Sequence, residues 1–222
     1  MTSSSRLVLG VYAAVAAIQL LTLALGNQLA ANTMKFFLLP LLIVFVLVSV
    51  GWKSDASTKW LVIGQFFAWL GDIALMSDAQ LLFFVGIAMF LVMQICYIVG
   101  FFKLGAREGV RRRKWVLIAY PVFWVVANAA LWPGLGVMRV PIAIYSAALV
   151  TMALCSVGTG TMLGIGGTLF MLSDLTIGAT VAYGNFFGSA VFIMLTYIVG
   201  QLLIAIAWTN QIRSRAPAEV GV

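Results

Sequence analysis

Histidine is absent from this chain of 222 residues, and cysteine occurs only twice, at Cys96 and Cys155. The first absence removes the commonest metal ligand and the commonest general base near neutral pH. The second leaves too little thiol for a zinc cluster or a disulfide framework, because both cysteines fall inside long apolar runs. Charge is scarce as well: charged side chains are 9% of the residues, against about 25% in soluble domains. Only six residues are acidic. Any chemistry must therefore come from carboxylates, tyrosines, lysine or arginine, and neither metal nor cofactor is expected.

What is abundant is apolar. Hydrophobic residues make up 64% of the chain and the mean hydropathy is +1.12. One soluble core could not hold them, and the surplus would face water. An all-α polytopic membrane protein remains. Apolar runs broken by polar turns give eight segments, near Leu7–Leu25, Lys35–Val50, Lys59–Met76, Leu81–Phe102, Trp115–Leu131, Arg139–Leu154, Thr161–Val181 and Phe187–Trp208. Eight spans of about 20 residues use most of the chain, so residues 1–222 read as a single membrane domain with no room for a soluble one.

The net charge of +7 would suggest nucleic acid in a soluble protein. Here eleven of the thirteen basic residues fall on one side of the eight-span arrangement, and only Lys35 and Arg139 on the other. The positive-inside rule then puts both termini in the cytoplasm, as in a plasma membrane of bacterial type. The run Arg111–Lys114 stops translocation on this reading, with anionic lipid headgroups as the smaller possibility. Trp52, Trp60, Trp115 and Trp208 sit at cytoplasmic helix ends, as an interfacial belt requires. Gly160 and Gly164 read as a small-residue helix contact, not a nucleotide loop, for want of any strand.

The two halves echo one another. Tyr97-Ile98-Val99-Gly100 recurs as Tyr197-Ile198-Val199-Gly200, and Phe83-Phe84 recurs as Phe186-Phe187. Gly64 precedes Asp72 by eight residues, as Gly166 precedes Asp174, and Met34-Lys35 corresponds to Met138-Arg139. The offsets lie between 100 and 104 residues. A shift of four spans keeps orientation, so this is a parallel repeat about an axis along the membrane normal.

An ionisable residue inside a span costs at least ~2.5–3.5 kcal/mol on insertion scales and is a functional candidate by default. Asp72 and Asp174 are the only acids in the spans, and the repeat predicts a shared outer-half centre for them with Lys35 and Arg139. Asp78 lies just beyond, at the outer mouth. Tyr97, Tyr145, Tyr197, Gln94 and Gln201 add polar groups, each of which also suits an ordinary helix–helix hydrogen bond. The bland alternative is that the four charges pair and hold the bundle together.

These residues carry a resemblance. Met34-Lys35 with Pro40, Leu70-Gly71-Asp72 through Met76, and Phe90 through Tyr97 resemble the YhhN family of integral membrane proteins. So do Leu131-Trp132-Pro133 through Arg139-Val140-Pro141 with Tyr145, Leu169 through Asp174, and Tyr197 through Gln201. Two positions depart: Gln94 stands where the family commonly has histidine, and Phe36 where it has proline. The characterised animal members are lysoplasmalogenases. The resemblance implies hydrolysis of the vinyl ether of a lysophospholipid in the bilayer, giving a fatty aldehyde and a glycerophospho-head group. Asp72 and Asp174 would then be the acid/base pair, with Lys35 and Arg139 on the head group. No metal or redox cofactor is needed. The residues themselves leave two other readings open: a proton-coupled transporter of small molecules or lipids, and a non-catalytic lipid-binding protein. Oligomeric state is not legible.

Overall fold

The computed structural model describes residues 2–52, 55–77 and 79–215, and among these it is helical with no strand. The helices are α1 (Ser3–Ala24), α2 (Gln28–Val50), α3 (Ala56–Ala74), α4 (Gln80–Lys103), α5 (Ala106–Arg112), α6 (Val116–Leu131), α7 (Arg139–Thr159), α8 (Thr161–Tyr183) and α9 (Ser189–Arg215), with a 3-10 turn at Gly136–Met138 leading into α7. Eight of them coincide with the eight apolar segments. The short α5 falls in the basic loop, where Glu108 faces Arg111 and Arg112 one turn on.

Six helices are long and apolar enough to cross a membrane: α1, α2, α4, α7 with its 3-10 lead, α8 and α9. The pair α5 and α6, bent by 94° at their junction, makes up to seven. The chain is a multi-pass membrane protein on this count. Helix α6 is only 16 residues long, and α3 is made more polar by Lys59, Gln65 and Asp72.

Local chemistry sets the boundaries. Thr2, Asn27 and Asp55 each cap a helix by accepting a backbone N–H, from Ser5, Ala30 and Ser57. The asparagine cap starts α2 at Gln28, seven residues before the Lys35 at which the hydropathy pattern alone would begin it. Gly51 and Gly184 end α2 and α8 with positive φ.

The helices pack as neighbours in sequence, with α3 against α4 and α8 against α9 making the most extensive pairs. Across the middle, α4 packs on α7, and α2 packs on α9. The α8–α9 approach is close because both crossing residues are glycines. A Cβ on Gly166 would come within 2.9 Å of the Gly200 carbonyl oxygen, and one on Gly200 equally close to that of Gly166. At the α7–α8 junction, a Cβ on Gly164 would meet the Val157 Cα at 2.9 Å, whereas Gly160 has open space around it, so only one of the two expected small residues makes a close helix contact.

One expectation fails in this core. Trp208 is not an interfacial anchor: it is fully buried, stacked against Phe101 at 4.9 Å and donating from Nε1 to Ser57 Oγ at 3.2 Å. Its ring occupies the room left by Gly100, which has no side chain to compete. Trp52 and Trp115 are exposed, as a belt demands.

Candidate active site

Proline creates the first anchor of the site. Pro40 lies inside α2 and has no N–H, so the carbonyl of Phe36, four residues earlier, loses its helical partner. The Trp69 indole of α3 donates to that oxygen at 2.9 Å. The α2–α3 seam is thus pinned beside the next two residues of interest. Lys35 Nζ lies 3.1 Å from Asp72 Oδ1, with the two side chains 15% and 3% exposed. The other carboxylate oxygen, Oδ2, accepts from the Tyr197 hydroxyl of α9 at 2.6 Å. A lysine, an aspartate and a tyrosine from three helices form one buried unit.

Asp174 is held differently. Its Oδ2 accepts from the Tyr145 hydroxyl of α7. Arg139 does not reach it: the guanidinium donates from Nε to the Trp132 carbonyl at 2.9 Å and lies over the Trp132 ring, 5.7 Å from its centroid. The expected arrangement of two equivalent cation–aspartate sets is therefore not what forms. Arg139 is the first residue of α7, whereas Lys35 is the eighth of α2, about 10 Å further along its helix at 1.5 Å per residue.

The remaining polar candidates form a second buried row. Tyr97 is fully buried and donates to Gln201 Oε1 at 2.7 Å, so it serves Gln201 rather than Asp174. Gln94 lies beside Tyr145, fully buried, and its amide makes no hydrogen bond of normal geometry. Phe90 makes ring contacts to Tyr197 and Phe170, closing the space between the halves. Asp78 lies outside the described residues.

Several polar residues were not singled out in the sequence. Tyr12 of α1 is buried and donates to the Ile198 carbonyl at 3.0 Å. Gln65 of α3 is fully buried with both amide atoms unpaired. Asn128 of α6 donates to Ser146 Oγ at 3.1 Å, and Trp124 Nε1 donates to the same oxygen at 3.0 Å. A polar residue amid an apolar run was the available signal for Gln65 and Asn128.

A pocket with about 780 Å³ of empty space, part of it open, lies between α4, α6, α7 and α8. Its lining is almost wholly apolar, including Phe83, Ile87, Phe123, Ile142 and Met171. The polar exceptions are Asp174 with Tyr145, and the Asn128–Ser146 pair with the Trp124 indole. Among the described residues that line it, Asp174 is the only acid; Asp72, Lys35 and Arg139 stand outside. Helices α4 and α6, which face each other across it, make no substantial contact. No cluster of potential metal ligands occurs among the described residues.

Comparison with known proteins gives one match: the model of the YhhN family aligns with residues 30–208, a stretch holding Lys35, Asp72, Arg139, Asp174 and the whole pocket lining. No curated protein and no solved structure matches the chain.

Proposed function

The chain belongs to the YhhN family, and from that premise we propose that it is a lysoplasmalogenase-like membrane hydrolase. Its substrate is a 1-alkenyl lysophospholipid, cleaved at the vinyl ether to a fatty aldehyde and a glycerophospho-head group. The observation that carries this reading is the seating of Asp174, a carboxyl group on the wall of an apolar pocket within the helical bundle. The lining of this pocket, apolar apart from a few polar groups, suits a hydrocarbon chain.

The chemistry divides the two aspartates. Asp174 donates its proton to the alkene carbon remote from the ether oxygen, and the double bond's electrons form the new C–H bond. The oxygen-bearing carbon becomes an oxocarbenium-like centre. Water adds there and returns a proton to the Asp174 carboxylate, leaving a hemiacetal. That intermediate collapses as the ether oxygen takes up a proton and the hydroxyl loses one, releasing aldehyde and the glycerol hydroxyl. The needs parallel those of glycoside cleavage, in which one carboxyl donates and another stabilises the cation. Asp72, ion-paired with Lys35, supplies that fixed negative charge from outside the pocket. Tyr145 orients the donor. With Lys35 committed to Asp72, the head-group phosphate falls to Arg139, one turn before the pocket residue Ile142 and with guanidinium nitrogens to spare.

The same reading takes all eight long helices as spans, in two parallel halves with both termini cytoplasmic. Its support is that α4 packs on α7 as α9 packs on α2, the exchange a two-fold axis along the membrane normal would generate. The basic-residue asymmetry supports the sidedness.

A proton-coupled transporter is the second reading, favoured by one observation: a buried polar row, Lys35–Asp72–Tyr197 and Tyr97–Gln201, that catalysis at Asp174 does not exhaust. Purified protein given a 1-alkenyl lysophospholipid should release fatty aldehyde. Asp174→Asn should lower kcat by about 100-fold or more, the scale of a lost general acid; Asp72→Asn should also lower kcat, by less, and Arg139→Met should chiefly raise KM. Solute uptake by proteoliposomes without any aldehyde would select the transporter, and full turnover by both asparagine variants would exclude the two-carboxylate mechanism.

A further inference from the structure

A second groove, with about 1,020 Å³ of empty space and more open than the first, lies along the N-terminal part of α8, and none of its lining residues is shared with the Asp174 pocket. Thr161, at the start of α8, lines it, and thirteen residues of that helix, about 20 Å of rise, separate Thr161 from Asp174. Its walls are α6 and α8. Arg113 and Trp115 stand at its mouth, with Thr161, Thr168 and Tyr120 along its sides and Ile165 and Leu169 as apolar floor.

The charges around it are unevenly satisfied. Of the run Arg111–Lys114, Arg111 and Arg112 face Glu108 at 3.9 and 3.2 Å. Arg113 has no acidic partner among the described residues; it donates from one terminal nitrogen to the Val157 carbonyl at 2.5 Å, which fixes the guanidinium at the groove while leaving its other donors. Lys114 likewise forms no ion pair among the described residues and is exposed. Trp115 is 59% exposed, and Ile165 is 52% exposed. A fixed cation above an apolar channel facing the membrane is complementary to an amphiphile with a negative head.

We propose that this groove is a binding site for an anionic phospholipid of the membrane. The phosphate is held by Arg113 and Lys114 with the Thr161 hydroxyl, Trp115 packs at the ester level, and one acyl chain lies along Ile165 and Leu169. Arginine supplies paired donors to phosphate oxygens, and basic residues just outside a span attract anionic headgroups. The site is separate from the Asp174 pocket and does not depend on the reaction assigned there.

The test is native mass spectrometry of protein reconstituted in vesicles of equal parts phosphatidylglycerol and phosphatidylcholine, then extracted in mild detergent. The wild type should retain phosphatidylglycerol over phosphatidylcholine by at least fivefold. Arg113→Gln with Lys114→Gln should abolish the preference, while Arg111→Gln with Arg112→Gln keeps it. Ile165→Trp, which obstructs the channel and leaves both cations in place, should also abolish retention. Excess glycerol phosphate should not displace the lipid. Equal loss in both charge variants would reduce the effect to diffuse attraction and overturn the proposal, as would undiminished retention in Ile165→Trp. Displacement by glycerol phosphate would make the site one for free phosphate and overturn the lipid assignment.

Discussion

Replacing Lys35 by methionine removes the cation that Asp72 faces at 3.1 Å, with the carboxylate side chain 3% exposed. Breaking a pair this buried from one side costs roughly 3–5 kcal/mol, because the remaining charge cannot be hydrated. The Tyr197 hydrogen bond is still made and offsets part of that loss. Replacing both partners, as Lys35→Met with Asp72→Leu, leaves no stranded charge. The residual penalty is then the Tyr197 hydroxyl without its acceptor, about 1–3 kcal/mol. The double variant should therefore be more stable than Lys35→Met alone, with a coupling of about 2 kcal/mol or more, a clear departure from additivity. Unfolding of Lys35→Met, Asp72→Leu and the double variant in mixed micelles, followed through tryptophan fluorescence, measures all three differences from wild type. Additive losses, or a Lys35→Met variant within about 0.5 kcal/mol of wild type, would refute the reading of this pair as buried and mutually dependent, since surface pairs behave that way.

Three further outcomes follow from named contacts. Trp69→Phe keeps the ring but leaves the Phe36 carbonyl without a donor, so the same unfolding assay should show a loss of about 1–3 kcal/mol. Gly166→Val meets the Gly200 carbonyl oxygen and the Ile204 nitrogen. Folded, monodisperse protein should fall sharply on size exclusion, whereas Gly10→Val, with open space around it, should behave as wild type. Ala127→Phe intrudes on the Asp174 pocket. Across a series of alkenyl chain lengths it should raise KM for the longest substrates while sparing the shortest.

The elements most legible in the sequence were those with a one-dimensional cause. Apolar runs announce helices: the eight runs coincide with eight helices, six of them long and apolar enough to cross a membrane because hydropathy and helix length share one origin in bilayer thickness. Asp72 and Asp174 stood out because acids are rare in such runs. Partner choice was illegible for a geometric reason. Tyr97 and Tyr197 occupy matching sequence positions, yet one donates to Gln201 and the other to Asp72. Trp208 read as an interfacial residue since it ends an apolar run, but Gly100 and Ser57, on two other helices, make a buried seat for it. The α5–α6 bend was hidden too, because the basic run gives no hydropathy signal for a seven-residue helix.

The unequal fate of the two aspartates has its root in where two helices begin. Asn27 caps α2 well ahead of Lys35, so the lysine projects from the body of the helix toward Asp72. The corresponding segment before Arg139 contains Pro133, Gly134 and a 3-10 turn, and α7 starts at the arginine itself. The guanidinium then takes the nearest free acceptor, the Trp132 carbonyl at the end of α6. Asp174, without a cation in contact among the described residues, accepts from the Tyr145 hydroxyl and faces the apolar pocket. A symmetric arrangement would have ion-paired both carboxylates and left neither suited to carrying a proton into hydrocarbon surroundings. Capping chemistry at Asn27, and its absence before Arg139, thus separates a charged strut from a candidate proton donor. Moving the start of α7 back by two turns, with an asparagine cap and a helix-favouring segment in place of Pro133-Gly134, should bring Arg139 toward Asp174. Aldehyde release would then fall although every site residue is retained. Undiminished turnover in such a variant, with the new ion pair verified structurally, would show that the asymmetry has no catalytic consequence.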